Sequence, residues 1–121
     1  MVIHESAEDY LESILVLRER RGTVRSIDIV NELGYSKPSV SIAMKKLREN
    51  GYISMDKSGL ITLTEKGMEI ASRTLDRHHV LTEFFKSLGV DGKTAEADAC
   101  KIEHDISRQT FAAICAKLEE K

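Results

Sequence analysis

The chain has 121 residues, with 18 Lys and Arg against 20 Asp and Glu, 41% apolar residues, one Pro and no Trp. That length holds one compact unit or two very small lobes, which excludes a large multidomain enzyme, and the apolar share is too high for a disordered chain. No apolar run approaches the roughly 20 residues that cross a bilayer. The N-terminus MVIHESAEDY lacks the basic and apolar parts of a signal peptide, so a cytoplasmic protein with no membrane partner is expected. Cys100 and Cys115 lie in segments of helical pattern, where a reducing compartment keeps them as thiols.

Ala7 to Arg20 reads as an amphipathic helix, because Tyr10, Leu11, Ile14, Leu15 and Leu17 recur at three- and four-residue steps and Gly22 stops it. Ser26 is the expected cap of a short second helix through Ile27, Ile29, Val30 and Leu33, closed by Gly34. Ser36 is the expected cap of a third, with Pro38 in its first turn and Val40, Ala43, Met44 and Leu47 as its buried stripe up to Asn50-Gly51. YISMD and LITLT flank Lys57-Ser58-Gly59 in a hairpin pattern. A long helical pattern then runs from Thr64 to Leu88, where Gly89 ends it. Lys93 to about Ile106 is a further expected helix. Ser107 caps a last one that carries Phe111, Ile114, Cys115 and Leu118 on one face.

The expected fold is therefore mainly α. A winged helix-turn-helix of three helices and a two-stranded wing occupies residues 1–64, and an all-α domain occupies 65–121. The second half is too small to bury Phe84, Phe85 and the Phe111 stripe unaided. A two-fold partner would cover them, which makes Phe84, Phe85, Phe111, Ile114, Cys115 and Leu118 the expected dimer interface.

The net charge of -2 looks unsuited to nucleic acid until it is divided by position. Residues 13–63 carry nine basic and five acidic side chains, residues 64–121 carry nine and eleven, and the first twelve hold four acids and no base. In SIDIVNELGYSKPSVSIAMKKLRENGY, two short helices meet at a glycine-containing turn in the helix-turn-helix arrangement. Lys37, Lys45, Lys46 and Arg48 are suited to phosphates, Ser36, Ser39 and Ser41 to phosphates or base edges, and Pro38 to a thymine methyl. Lys57 on the wing can reach adjacent backbone. A polar helix face is usually only solvated. The ordered run of three helices and a ribbon singles this one out for DNA, leaving winged helices that bind only protein as the alternative. Ile42 stands where a hydrogen-bonding side chain is more usual, and it packs either on a thymine methyl or at the edge of the core.

Glu96, Cys100, Glu103 and His104 fall at i, i+4, i+7 and i+8, on one face of a single expected helix. Asp9 and Glu12 share a face of the first helix, and His78 lies on the long one. Thiolate, carboxylate and imidazole are the side chains that bind divalent transition metals. The competing reading is that Glu103 and His104 are solvated, Cys100 is a small core residue and Asp9 and Glu12 are an acidic helix start. His79 and Glu83 read as an exposed pair, and His4 sits near the terminus. A Cys-His hydrolase at Cys100 and His104 lacks any oxyanion motif, so no enzymatic activity is expected.

SAEDYLESI, the RHH of the long helix and above all ACKIEHDIS resemble the diphtheria-toxin-repressor and manganese-transport-regulator family of metal-activated transcriptional repressors. The resemblance covers essentially the whole chain. It implies a homodimer that binds a palindromic double-stranded operator when Fe(II) or Mn(II) is present, with residues 65–121 as the metal-binding and dimerisation domain. Asp9, Glu12, His78, Cys100, Glu103 and His104 match the family's ligand positions. Asp9 and Glu12 look like the manganese branch, and Cys100 like the iron branch. Glu96, counted here as a candidate ligand, stands where the iron branch has an ancillary histidine, and Thr82 where it has a glutamate. The SH3-like third domain of longer iron regulators is absent from these residues.

A thiolate tips the expected effector toward Fe(II), carboxylates pull toward Mn(II), and Zn, Co or Ni can substitute in vitro by the Irving-Williams order. The expected mechanism is metal-restricted motion of the DNA-binding lobes. The rivals are a winged-helix regulator responding to an organic ligand and a metal-binding interaction module without DNA activity.

Overall fold

The computed structural model describes residues 5–120, so His4 lies outside the described residues. The elements are α1 (Glu5–Arg21), α2 (Ser26–Leu33), α3 (Lys37–Glu49), β1 (Ile53–Met55), β2 (Ile61–Leu63), α4 (Glu65–Ser87), α5 (Gly92–Ile102) and α6 (Arg108–Glu119). This is the mainly helical architecture expected, with a two-stranded wing after three helices. Contacts divide the chain between Ser72 and Arg73 into two compact units.

In the first unit, α1 packs on α2, α3 and β2, and α2 packs on α3. The core is Leu11, Ile14, Leu17, Val24, Ile29, Val40, Met44 and Leu47, each at most 2% exposed. The apolar residues recur at helical spacing, so each helix has a single stripe to bury. Ser26 is the first helical residue of α2 and not its cap. Arg25 holds the cap position in extended conformation, and its N–H donates to Asp28 Oδ2 at 2.9 Å, so the helix start is satisfied from inside the first turn. Gly34 closes α2 at φ 73°, where a side chain would be strained.

β1 and β2 pair antiparallel with Ile53 opposite Leu63 and Met55 opposite Ile61. Ile61 N–H also donates to Val24 O at 2.8 Å, tying the wing to the segment after α1. At the wing's base Thr64 N–H donates to Tyr52 O, and Thr64 Oγ1 donates to Gly51 O and accepts from Gly67 N–H. Gly67 is required there by close approach: a Cβ at this position would overlap the Tyr52 carbonyl oxygen.

The second unit contains the rest of α4 with α5 and α6. Asp91 caps α5 through Thr94 N–H at 3.1 Å, and Ser107 caps α6 through Thr110 N–H at 3.1 Å. The expected helix from Lys93 to about Ile106 is shorter than the sequence pattern implies. It ends at Ile102, and residues 103–105 form a turn in which Asp105 N–H donates to Ile102 O. Phe84, Phe85, Phe111, Ile114, Cys115 and Leu118 are all half-buried, and no residue of α6 is fully buried. No helix among the described residues is long and apolar enough to cross a membrane.

Gly67→Ala places a methyl against main chain that cannot rotate away. The expected cost is about 1–3 kcal/mol, read as a lower midpoint in thermal unfolding. An unchanged midpoint would contradict the close approach.

Candidate DNA-facing helix and metal centre

α3 starts where Ser36 accepts a hydrogen bond from Ser39 N–H at 3.2 Å, while its own hydroxyl donates to Ser39 Oγ at 2.8 Å. Pro38 sits in the first turn, where its missing N–H leaves no hydrogen bond broken. Val40, Met44 and Leu47 point inward. At 100° per residue, Pro38, Ser41, Ile42 and Lys45 form the opposite stripe, with Lys37 and Arg48 along one border and Ser39 and Lys46 along the other. All eight are exposed. Ile42 is 58% exposed, so it stands outward and is not an edge of the core.

Two grooves flank this helix. Ser26, Ile27, Val30, Lys37 and Ser41 line one, and residues that include Tyr10, Ser39, Ile42 and Lys46 line the other. Tyr35, just before the cap, is 41% exposed and stacks edge-on against buried Tyr10 at 5.7 Å. The sequence pattern did not single it out, because one aromatic in a turn has no periodic signature. Burial, with the neighbouring Tyr35 and Asp9 adding to it, raises the Tyr10 phenol above its ordinary pKa.

On the wing, Lys57 is exposed beside Asp56. The Asp56 carboxylate accepts from Ser58 N–H, Ser58 Oγ and Leu60 N–H at 2.8–2.9 Å. The Ser58 hydrogen bond, then that from Leu60, holds the Asp56 carboxyl below its ordinary pKa. Arg25 Nε donates to Ser58 O at 3.3 Å from outside the turn.

In the second unit, α4 presents His78 to the turn after α5. His78 Nδ1 lies 2.9 Å from Glu103 Oε2, and His104 Nε2 lies 3.4 Å from Glu103 Oε1. Glu103 is 1% exposed and the His104 imidazole 2%, and Glu103 Oε1 has no hydrogen-bond donor among the described residues. Glu103 thus has one imidazole at each carboxylate oxygen, and the oxygen beside His104 is buried without a hydrogen-bond donor; carboxylate and imidazole are ligand types that suit a borderline divalent cation.

The expected single helical face does not form. Glu96 and Cys100 are exposed on α5, whereas Glu103 caps its C-terminus and His104 lies in the turn beyond. The helix has ended before them, and across the turn Arg77 Nη1 donates to Glu103 O at 3.2 Å and to Ile106 O at 2.9 Å. Asp9 and Glu12 are half-buried one turn apart on α1, in the first unit. His79 and Glu83 are exposed on α4, and Cys115 is half-buried on α6.

Two family models match along most of the chain. Residues 3–60 match the iron dependent repressor N-terminal DNA binding domain, and residues 64–120 match the iron dependent repressor metal binding and dimerisation domain. The chain belongs to the iron-dependent repressor family. An HTH-type transcriptional regulator of Methanocaldococcus jannaschii is 39% identical over 96% of this chain and 94% of its own length. The transcriptional regulator MntR of Salmonella typhimurium is 34% identical over 93% of this chain and 71% of its own. A solved structure of a manganese-dependent transcriptional repressor in complex with manganese superposes with TM-score 0.84 at 30% identity, covering 93% of this chain. The chain spans only 52% of that structure's length. These relatives are transcriptional regulators, a family that is not enzymatic.

The Asp56 geometry has a pH consequence. A depressed carboxyl stabilises the wing turn fully above its ordinary pKa, and that contribution is lost as pH falls through the lowered native value. The Ser58 and Leu60 amide resonances should therefore titrate with a midpoint below the ordinary aspartate value, and Asp56→Ala should abolish the titration. A midpoint at or above that value would contradict the assignment.

Proposed function

We propose that this chain is a repressor that binds a palindromic operator as a homodimer when Fe(II) or Mn(II) is bound, and so controls metal-uptake genes. The observation that carries the reading is buried Glu103 facing His78 and His104 in a chain whose other half presents a basic helix-turn-helix. Residues 1–64 are the DNA-binding domain and 65–121 the metal-binding and dimerisation domain in this reading. Bound metal supplies the positive charge that lets several carboxylates and imidazoles converge without mutual repulsion.

His78, Glu103 and His104 form the nucleus of the ligand set. Asp9, Glu12 and Cys100 are further ligands on the strength of their match to the family pattern, and Glu96 is the ancillary candidate. Asp9 and Glu12 lie on α1, which packs on α2 and α3 within the DNA-binding unit, so ordering α1 is felt by the reading helix. Two half-sites about 34 Å apart must be met together, so ligands that restrict α1 raise operator affinity without adding base contacts. The half-buried Phe84, Phe85, Phe111, Ile114, Cys115 and Leu118 are the proposed subunit interface.

Carboxylate and imidazole suit Mn(II) and Fe(II) alike, and Cys100 decides between them. A thiolate ligand favours Fe(II), while an exposed Cys100 that stays outside the coordination sphere favours Mn(II), the metal named for the solved relative.

Operator affinity should rise about 5–150-fold on replacing chelator with anaerobic Mn(II) or Fe(II), measured on promoter DNA of metal transporters. Glu103→Gln should lose most of that gain while keeping its helical circular dichroism. Equal binding in chelator and metal would refute metal activation.

Ile42 gives the second expectation. It is an apolar side chain at the centre of the outward stripe, and the thymine C5-methyl is the apolar group that bases present in the major groove. Replacing the contacted thymine by uracil should cost roughly 0.8 kcal/mol per half-site, about a fourfold loss. The Ile42→Ala protein should be indifferent to the swap; wild-type protein equally indifferent would place Ile42 off the bases.

A further inference from the structure

The turn that carries Glu103 and His104 is held from α4 by a side chain outside the ligand set. α5 makes its last ladder bond from Glu103 N–H to Ala99 O, so the helix does not orient the residues beyond it. Arg77 Nη1 donates to Glu103 O at 3.2 Å and to Ile106 O at 2.9 Å, one bond at each end of the turn. The guanidinium also lies 5.2 Å from the centre of the Phe111 ring, which restricts where it can swing. The next residue on α4, His78, meets the Glu103 side chain at 2.9 Å. Adjacent residues of one helix thus grip Glu103 by its main chain and by its carboxylate.

We infer that Arg77 is a positioning residue for the metal centre: it fixes the 103–106 turn so that Glu103 and His104 face His78. This rests on the metal-centre reading above and adds a residue that supplies no ligand atom. Both bonds leave from Nη1, so a lysine would keep the charge and the donors but not the planar group that lies against the Phe111 ring and aims them. A methionine would keep much of the apolar stem and remove both donors.

The test compares full-length wild type, Arg77→Met, Arg77→Lys and Glu103→Gln by competition for Mn(II) against a fluorescent chelator. It also measures amide exchange of residues 103–106 in the metal-free proteins. Arg77→Met should bind Mn(II) on the order of 10–100-fold more weakly, with Arg77→Lys intermediate. In the metal-free Arg77→Met protein the 103–106 amides should exchange faster while that of Ala99 is unchanged. A purely structural role would instead lower protection across α5 and α6 and leave the Mn(II) affinity of the folded protein intact. If Arg77→Met does not fold, Arg77→Lys carries the decision, and wild-type affinity in that variant overturns the inference. Wild type binding Mn(II) no better than Glu103→Gln would instead bring down the metal reading itself, an outcome separable from wild-type affinity in the Arg77 variants.

Discussion

Burying a carboxylate costs several kcal/mol unless charge and hydrogen bonds answer it. Glu103 is 1% exposed, with His78 at one oxygen and His104 at the other. That constraint organises the second unit. It places an imidazole of α4 opposite the end of α5, where the helix stops at exposed Ile102 and the cap residue Glu103 is the one buried. A fully apolar residue at position 103 would avoid that desolvation cost.

The first unit meets a different demand, which is to keep one helix face uncommitted. α3 buries Val40, Met44 and Leu47 and leaves the opposite stripe to solvent, including an isoleucine that is 58% exposed. Capping by Ser36 and the Gly34 turn set where that helix begins, and the tie between β2 and Val24 sets where the wing leaves it. Rigid elements on both sides thus hold the exposed face of α3 in place.

Much of this was legible in the sequence, for a local reason. The stripe of α3, its serine cap, the Gly34 closure and the hairpin around Ser58 depend on residues a few positions apart, and both periodicity and turn chemistry are written at that range. The cap of α2 was misread because Ser26 has the right chemistry, yet Asp28, two residues on, satisfies Arg25 N–H from within the helix. Of the metal candidates, His78, Glu103 and His104 come together. The expectation that Glu96, Cys100, Glu103 and His104 share one helical face fails because it assumed an unbroken helix.

The amino-acid order alone determined the element sequence, the outward basic stripe and the identity of the groups able to hold a cation, because side-chain type and short-range spacing suffice for each. Tertiary contact decided the rest. Arg77 meets the 103–106 turn across 26 and 29 residues, at the carbonyls of Glu103 and Ile106. Gly67 is needed only because Tyr52 passes beside it. Such pairings depend on how helices dock, and no periodicity along the chain encodes which distant carbonyl a guanidinium will find.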